Sequence, residues 1–403
     1  MISDKLLTEY SYIVSARFEA INTRYIKLMA RQIKEIGKLT PSNIKRLEQM
    51  SKMSTNIAEI NDLLVKESNI TLNELYKVYD MSGMSIYQDA EKLYKSNGKT
   101  QISFEQNTRI QSHLESMKML TKGSFSNLSN TTTIYEGYRQ LVDMAINAIE
   151  SGTDNYQSVI DNILTNPDLS SLTRGVDGGL RVQYASGYTR RLDSAVRMNI
   201  LGGLRQVNNG VNEIAGKEFG ADGVEITAHA LCAEDHLPVQ GRQFAKGPAR
   251  EVNGIFYPSF EQMNSQLRRK ISTWNCKHST RVILLGISEP SYTEAELEQY
   301  KNLSTQKVKI GDKEVTRYQA SQMMRNLETE MRYAKDKIIF AEDAGFPNIQ
   351  SKAEQRLTDL RKRYNYVSNQ ANLQQQLDRT YVPGFKGIGN PKPDDIVLKP
   401  IIS

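Results

Sequence analysis

The chain has 403 residues, 39% hydrophobic and 24% charged; 52 Lys and Arg face 46 Asp and Glu, giving a formal charge of +6 and a pI of about 9.0. That length exceeds what a single core usually serves, so two or three domains are expected, with helices sharing small cores. Cys232 and Cys276 are the only cysteines, which excludes a disulfide-dense secreted scaffold, residues 1–10 show no leader pattern, and apolar stretches such as 282–285 are far too short to span a bilayer; the expected setting is the cytoplasm, or an assembly formed there.

The first 165 residues read as helices. Ser3 is placed to cap a long first helix whose apolar stripe runs Leu7, Tyr10, Val14, Phe18, Ile21, Tyr25 and Leu28, and Gly37 ends it. Thr40-Pro41 is expected to open a second helix with the stripe Ile44, Leu47, Met50, Ile57, Ile60 and Leu64. Thr71 with Glu74 predicts a capping box for a third helix, and Ser103 with Gln106 another. The polar run 124–133 reads as a loop, and residues 134–149 as an amphipathic helix stopped by Gly152. These helices are expected to form a bundle or a set of hairpins, their Met and Tyr stripes serving as core.

Residues 173–187 hold Gly175, Gly178, Gly179 and Gly187 and read as a flexible connection. A helix over 189–215 follows, carrying Arg190, Arg191, Arg197 and Arg205 against one acid, Asp193, in its first half. Between 221 and 287 the pattern turns to strands: 224–228 alternates, Asn253-Gly254 is a hairpin signal, and 281–285 reads as a buried strand. Thr293 with Glu296 predicts a capped helix, Gly311-Asp312 a hairpin over 307–315, and charged helices are expected over 316–344 and 349–377. The tail 382–403, with Pro383, Pro391, Pro393 and Pro400, should be extended, lack its own core, and either stay disordered or lie over a partner.

The fold expected is therefore mainly α with a small α+β module. It divides into a helical N-terminal region (1–172), a basic helix plus α+β module (173–290), charged C-terminal helices (291–380) and a Pro-rich extended tail (381–403).

Rare residues gather in the module. Both cysteines and three of the four histidines fall between His229 and His278, as His229-Ala-Leu-Cys232-Ala-Glu-Asp235-His236 and Trp274-Asn275-Cys276-Lys277-His278. Thiolate and imidazole ligands from two short loops, Cys232 with His236 and Cys276 with His278, could close a tetrahedral zinc site, although the spacing lacks Cys-x-x-Cys. A cysteine nucleophile with a histidine base is a second reading, without a familiar local signature. The third, preferred reading is structural: buried thiols as small hydrophobes, histidines and Asp235 bonding loop backbone, and Trp274 as a core anchor. No phosphate loop, His-Glu-x-x-His or Gly-x-Ser-x-Gly motif occurs, so no enzyme is expected, and no cofactor beyond a structural zinc.

The run Cys232-Ala-Glu-Asp-His-Leu-Pro-Val-Gln-Gly241-Arg-Gln-Phe244, then Asn275-Cys276-Lys-His278 and Gly286-Ile-Ser-Glu-Pro290-Ser-Tyr292-Thr, resembles phage minor capsid proteins of the Mu-F-like head morphogenesis class. The resemblance covers roughly residues 180–345. His278 stands where many members carry a second cysteine, an exchange that keeps a metal-capable ligand. The resemblance implies a structural role in a tailed-phage head, few copies, association with the portal protein or with the major capsid protein at the inner shell, contact with packaged double-stranded DNA, and no membrane partner. Residence in the virion after assembly in the host cytoplasm follows from it. A non-enzymatic DNA-binding or assembly factor that leaves the particle is the alternative.

Residues 262–288 contain Arg268, Arg269, Lys270, Lys277 and Arg281, a candidate phosphate-contacting set, set against the ordinary reading of a solvated face. Aromatic residues are sparse among them, which disfavours base stacking on single strands.

Overall fold

A computed structural model describes residues 4–95, 102–133, 135–152, 156, 160, 179–273 and 276–392. Helix α1 (Asp4–Ile36) buries the predicted stripe, with Tyr10, Val14, Phe18, Ile21 and Tyr25 all in the core, and stops where Gly37 follows. Ser3, Trp274 and residues 173–178, to which the sequence assigns a cap, an anchor and a linker, lie outside the described residues.

Helix α2 (Arg46–Lys95) corrects two expectations. Thr40-Pro41 does not open it: the Thr40 carbonyl accepts from the Asn43 and Ile44 amides, and the Thr40 amide donates to Asn43 Oδ1 at 2.6 Å, so the proline sits in a turn. Nor does a new helix begin at Thr71. The helix runs unbroken for 50 residues because Thr71, Leu72 and Leu75 are buried against its neighbours. The Glu74 carboxylate meanwhile takes the Arg17 guanidinium at 2.6 and 3.0 Å instead of a cap. Tertiary packing outweighs a local capping preference of about 1 kcal/mol.

Helix α3 (Thr108–Thr131) is capped by Asn107, whose side chain accepts from the Ile110 amide; Ser103 only closes the preceding turn onto Gln106. The predicted loop over 124–133 is mostly helix. Phe125 and Leu128 are buried, and the hydroxyls of Ser129, Thr131 and Thr132 each donate to the carbonyl four residues back, so the polar run satisfies itself within the helix. Strand β1 (Thr132–Thr133) follows, then α4 (Tyr135–Glu150), as the amphipathic pattern predicts.

The described part of the Gly-rich connection, from Gly179 onward, leads into a small sheet. Strands β2 (Arg181–Gln183) and β3 (Thr189–Arg191) form a hairpin that pairs with β1. Residues 189–191 are thus strand, and helix α5 (Leu192–Phe219) begins later and runs further than its pattern suggests, ending at Gly220 in the left-handed conformation. Helix α5 is the hub of the bundle, packing against α1, α2 and α3. Its glycines allow this: a Cβ on Gly203 would lie 2.0 Å from Tyr79 Oη, and one on Gly210 would lie 2.0 Å from His113 Nε2.

The module continues with β4 (Gly223–Ile226), β5 (Gln243–Ala245), the hairpin of β6 (Arg250–Val252) and β7 (Ile255–Tyr257), helix α6 (Phe260–Gln266) and β8 (Thr280–Ile283). The order β5-β4-β8 is antiparallel, with Val224 opposite Phe244 and Val282. Asn253 and Gly254 both take positive φ, the two-residue turn that the dipeptide predicts. Small apolar clusters lie around this sheet, Val224, Ile226, Phe244, Ile271 and Cys276 in one, Ala245, Tyr257, Ile283 and Leu285 in the other.

Helix α7 (Glu294–Thr305) carries the predicted capping box on Thr293, and the hairpin of β9 (Lys307–Ile310) and β10 (Lys313–Thr316) turns at Gly311-Asp312. Helices α8 (Arg317–Ala344) and α9 (Pro347–Ala371) pair along Met324, Leu327, Met331, Leu357 and Tyr364; α9 ends at Ala371, short of the expected 377. The end of α8 joins the main core, where Ile339, Phe340 and Ala344 meet residues of α1 to α5. A 3-10 turn (Leu377–Thr380) leads into the tail. Its described part does not hang free: Val382 is fully buried, and Asn390 bonds the Val382 amide and the Val382 and Phe385 carbonyls. This described part lies over its own chain.

Candidate metal centre and basic cleft

The two loops that hold the cysteines and histidines flank β4. The first leaves β4 at Thr227 and returns at Gly241, whose amide donates to the Ile226 carbonyl at 2.8 Å with φ +69. A Cβ there would lie 2.3 Å from the Leu297 side chain, so the glycine of the Gln-Gly turn is sterically required. The second leads into β8 and is held by the Ile271 amide on Asn264 Oδ1 at 2.8 Å, the Cys276 amide on the Thr273 carbonyl at 3.0 Å, and the Ser279 amide on Thr227 Oγ1 at 3.0 Å. The third motif segment is tied down by Glu225, buried in β4, which accepts from the Ser291 amide at 2.9 Å.

Between the loops His236, Cys276 and His278 converge, each no more than 2% exposed. His236 Nδ1 stands 3.2 Å from His278 Nδ1, and Cys276 Sγ lies 3.7 Å from the former and 3.5 Å from the latter. Cys232, fourth of the residues singled out in the sequence, is also buried but meets the other edge of the His278 ring, with Sγ 3.5 Å from Nε2; it groups there with His229, whose ring lies tilted against His278 with centroids 4.5 Å apart. Asp235 receives Arg269 at 2.8 Å on the rim.

The electrostatics separate the two thiols. Burial, with Asp235 and Cys276 adding, pushes the Cys232 thiol up to about 12. Burial also works against ionising Cys276, but its bond to His236 and the backbone around Ser272 and His278 hold it below the usual thiol range. Burial and the neighbouring His229 and His236 push His278 down to about 3, so its ring is neutral. A Cys276–His236 pair has the make-up of a nucleophile and base. Enclosed as it is, a substrate could reach the thiol only if a loop opened.

The five basic residues of the candidate phosphate-contacting set have different surroundings. Arg268 and Lys270 are exposed, Arg269 is engaged by Asp235, Arg281 donates to Ser291 Oγ at 2.8 Å, and Lys277 turns toward a different feature. That feature is a cleft of about 540 Å³ between α1, α5, α8, the 3-10 turn and the module. Lys277, Arg197, Arg205, Arg325 and Arg379 line it. Crowding by protein, then repulsion from Arg325, Arg379, Arg197 and Arg205, pushes Lys277 down to about 8, although water still reaches its side chain. Burial, with Arg379, Arg325 and Arg332 adding, lowers Arg197 to about 10, while its guanidinium rests 4.1 Å over the Tyr12 ring. Arginines in the first half of α5 are conspicuous in the sequence, but nothing local places Arg325, Arg379 and Lys277 opposite them.

Residues 2–367 match the family described as phage minor capsid protein 2, nearly the whole chain and well beyond the stretch around the module where the motifs lie. No curated protein and no solved structure matches it.

Proposed function

This chain belongs to the phage minor capsid protein 2 family, and from that premise we propose that it is built into the head of a tailed phage against the portal protein and the inner face of the major capsid shell, with its basic cleft toward packaged double-stranded DNA. A structural capsid role is the family's. The observation that supports an anionic partner is the cleft itself, where Arg197, Arg205, Lys277, Arg325 and Arg379 crowd together; burial first, and their mutual repulsion after it, lowers the affinity of Arg197, Lys277 and Arg325 for protons. An anion seated there relieves that repulsion, and a phosphate backbone or an acidic segment of a head protein supplies one. The exposed Arg268 and Lys270 extend the positive surface at the module. Among the described residues no helix is long and apolar enough to cross a membrane.

Quantitative mass spectrometry of purified particles, before and after genome release, tests the placement. Presence at the portal's copy number is expected, and loss on release would show that the protein leaves with the DNA. Abundance in producing cells with absence from particles would assign it instead to an assembly factor that is not retained.

A further inference from the structure

We propose that His236 Nδ1, Cys276 Sγ and His278 Nδ1 are the ligands of a zinc-class divalent cation that staples the two loops of the module together.

The argument begins with the outer edges of the two rings. His236 Nε2 faces the Arg269 carbonyl at 2.6 Å; a carbonyl only accepts, so this nitrogen carries hydrogen. His278 Nε2 faces Gln240 Oε1 at 3.3 Å. That amide oxygen is identified by the His229 backbone N–H, which donates to it at 3.2 Å, so His278 Nε2 also carries hydrogen. A neutral ring with hydrogen on Nε2 presents a bare lone pair at Nδ1. The two Nδ1 atoms therefore point at each other across 3.2 Å, beside a sulfur at 3.5 and 3.7 Å. Facing lone pairs at that distance repel unless a proton shared with Cys276 or a metal cation lies among them.

The spacing fits a metal. With zinc–nitrogen bonds of about 2.0–2.1 Å and a zinc–sulfur bond of about 2.3 Å at tetrahedral angles, ligand atoms stand about 3.3 Å apart for N···N and about 3.6 Å for S···N. The observed separations are 3.2, 3.5 and 3.7 Å. Ring N–H groups donating outward to a carbonyl and an amide oxygen are also the usual supporting partners of metal-bound histidines, fixing tautomer and orientation. One thiolate and two imidazoles form a borderline-soft set that suits zinc and disfavours calcium or magnesium. On binding, Cys276 loses its thiol proton to solvent and the metal–sulfur bond takes its place.

Cys232 lies outside this set. Its sulfur addresses His278 Nε2, the nitrogen already committed to Gln240, and cannot share a metal with Nδ1 of the same ring. The site is buried, and the ion joins the loop after β4 to the loop before β8.

The test uses the full chain, stripped with a chelator and reloaded with zinc or cobalt(II). One ion per chain is expected, and the cobalt form should show a thiolate-to-cobalt charge-transfer band. Cys276→Ala should lose the band and the ion, whereas Cys232→Ala should keep both. The assignment is overturned if the stripped chain takes up no stoichiometric ion, if cobalt binds without a thiolate band, or if Cys232→Ala loses the ion. Should Cys276→Ala fail to fold, the wild-type cobalt spectrum and the Cys232 variant still decide.

Discussion

The guanidinium of Arg191 and the carboxylate of Asp336, 145 positions apart, meet at 2.5 Å where neither residue is more than 2% exposed. Arg191 also holds Glu19 of α1 and Asp193 of α5, and Arg332 of α8 returns to Asp193. Three carboxylates and two guanidinium groups thus lock the first helix, the start of α5 and helix α8 at one point. Replacing Arg191 with Met strands these carboxylates in the interior, a loss of about 3–5 kcal/mol that urea unfolding would read. Arg191→Lys should recover little of it, because a single ammonium cannot serve carboxylates on several sides.

The same cluster gives a pH dependence. Burial pushes Glu19 up to about 8, with Arg191 opposing and Asp193 and Asp336 adding. The folded chain then keeps a proton that the unfolded chain releases near pH 4.5, so folding is favoured most at low pH and loses this contribution as pH rises toward 8. The urea midpoint should fall across that window, and Glu19→Gln should flatten the fall. An unchanged slope in the variant would place the proton elsewhere.

Helix α5 should not tolerate Gly203→Ala. Alanine is better by about 1 kcal/mol in a helix, but its methyl would press on Tyr79 Oη, 2.0 Å away. A net loss of about 1–3 kcal/mol is expected from overpacking. Adding Tyr79→Phe removes that oxygen, and the double variant should be more stable than the two single effects added together predict.

Charge reversal in the cleft should weaken the anion partner. Arg197→Glu with Arg325→Glu is expected to lower affinity for duplex DNA and to reduce the slope of log affinity against log salt by about one for each phosphate that the cleft ceases to neutralise. If both the affinity and the slope stay at wild-type values in a filter-binding titration, DNA does not use the cleft.

Asn390→Ala should loosen the tail. The amide serves Val382 and Phe385, and its oxygen also receives the buried Lys335 ammonium at 3.1 Å. Removing it leaves buried groups unsatisfied at about 1–3 kcal/mol, visible as a lower melting temperature.

Local chemistry made much of this protein legible. The stripe from Tyr10 to Tyr25, the Asn253-Gly254 turn and the capping box on Thr293 depend on period, on conformational freedom at φ and on side chains three residues apart, all written into neighbouring positions. The crowding of cysteine and histidine between His229 and His278 likewise marks the module, and the family match covers it. Where local signals competed with long-range burial, they lost. Thr71 resembles a cap but sits inside a continuous helix because Arg17 claims Glu74, and the 124–133 run looks like a loop but is helix because Phe125 and Leu128 have a core to enter. Which nitrogen of His278 faces Cys276 and which faces Cys232, and which arginines share a cleft, depend on loops and helices brought together from distant parts of the chain. Sequence spacing fixes the residue types available to a site, whereas only the packing of β4, α5 and α8 fixes the directions in which they point.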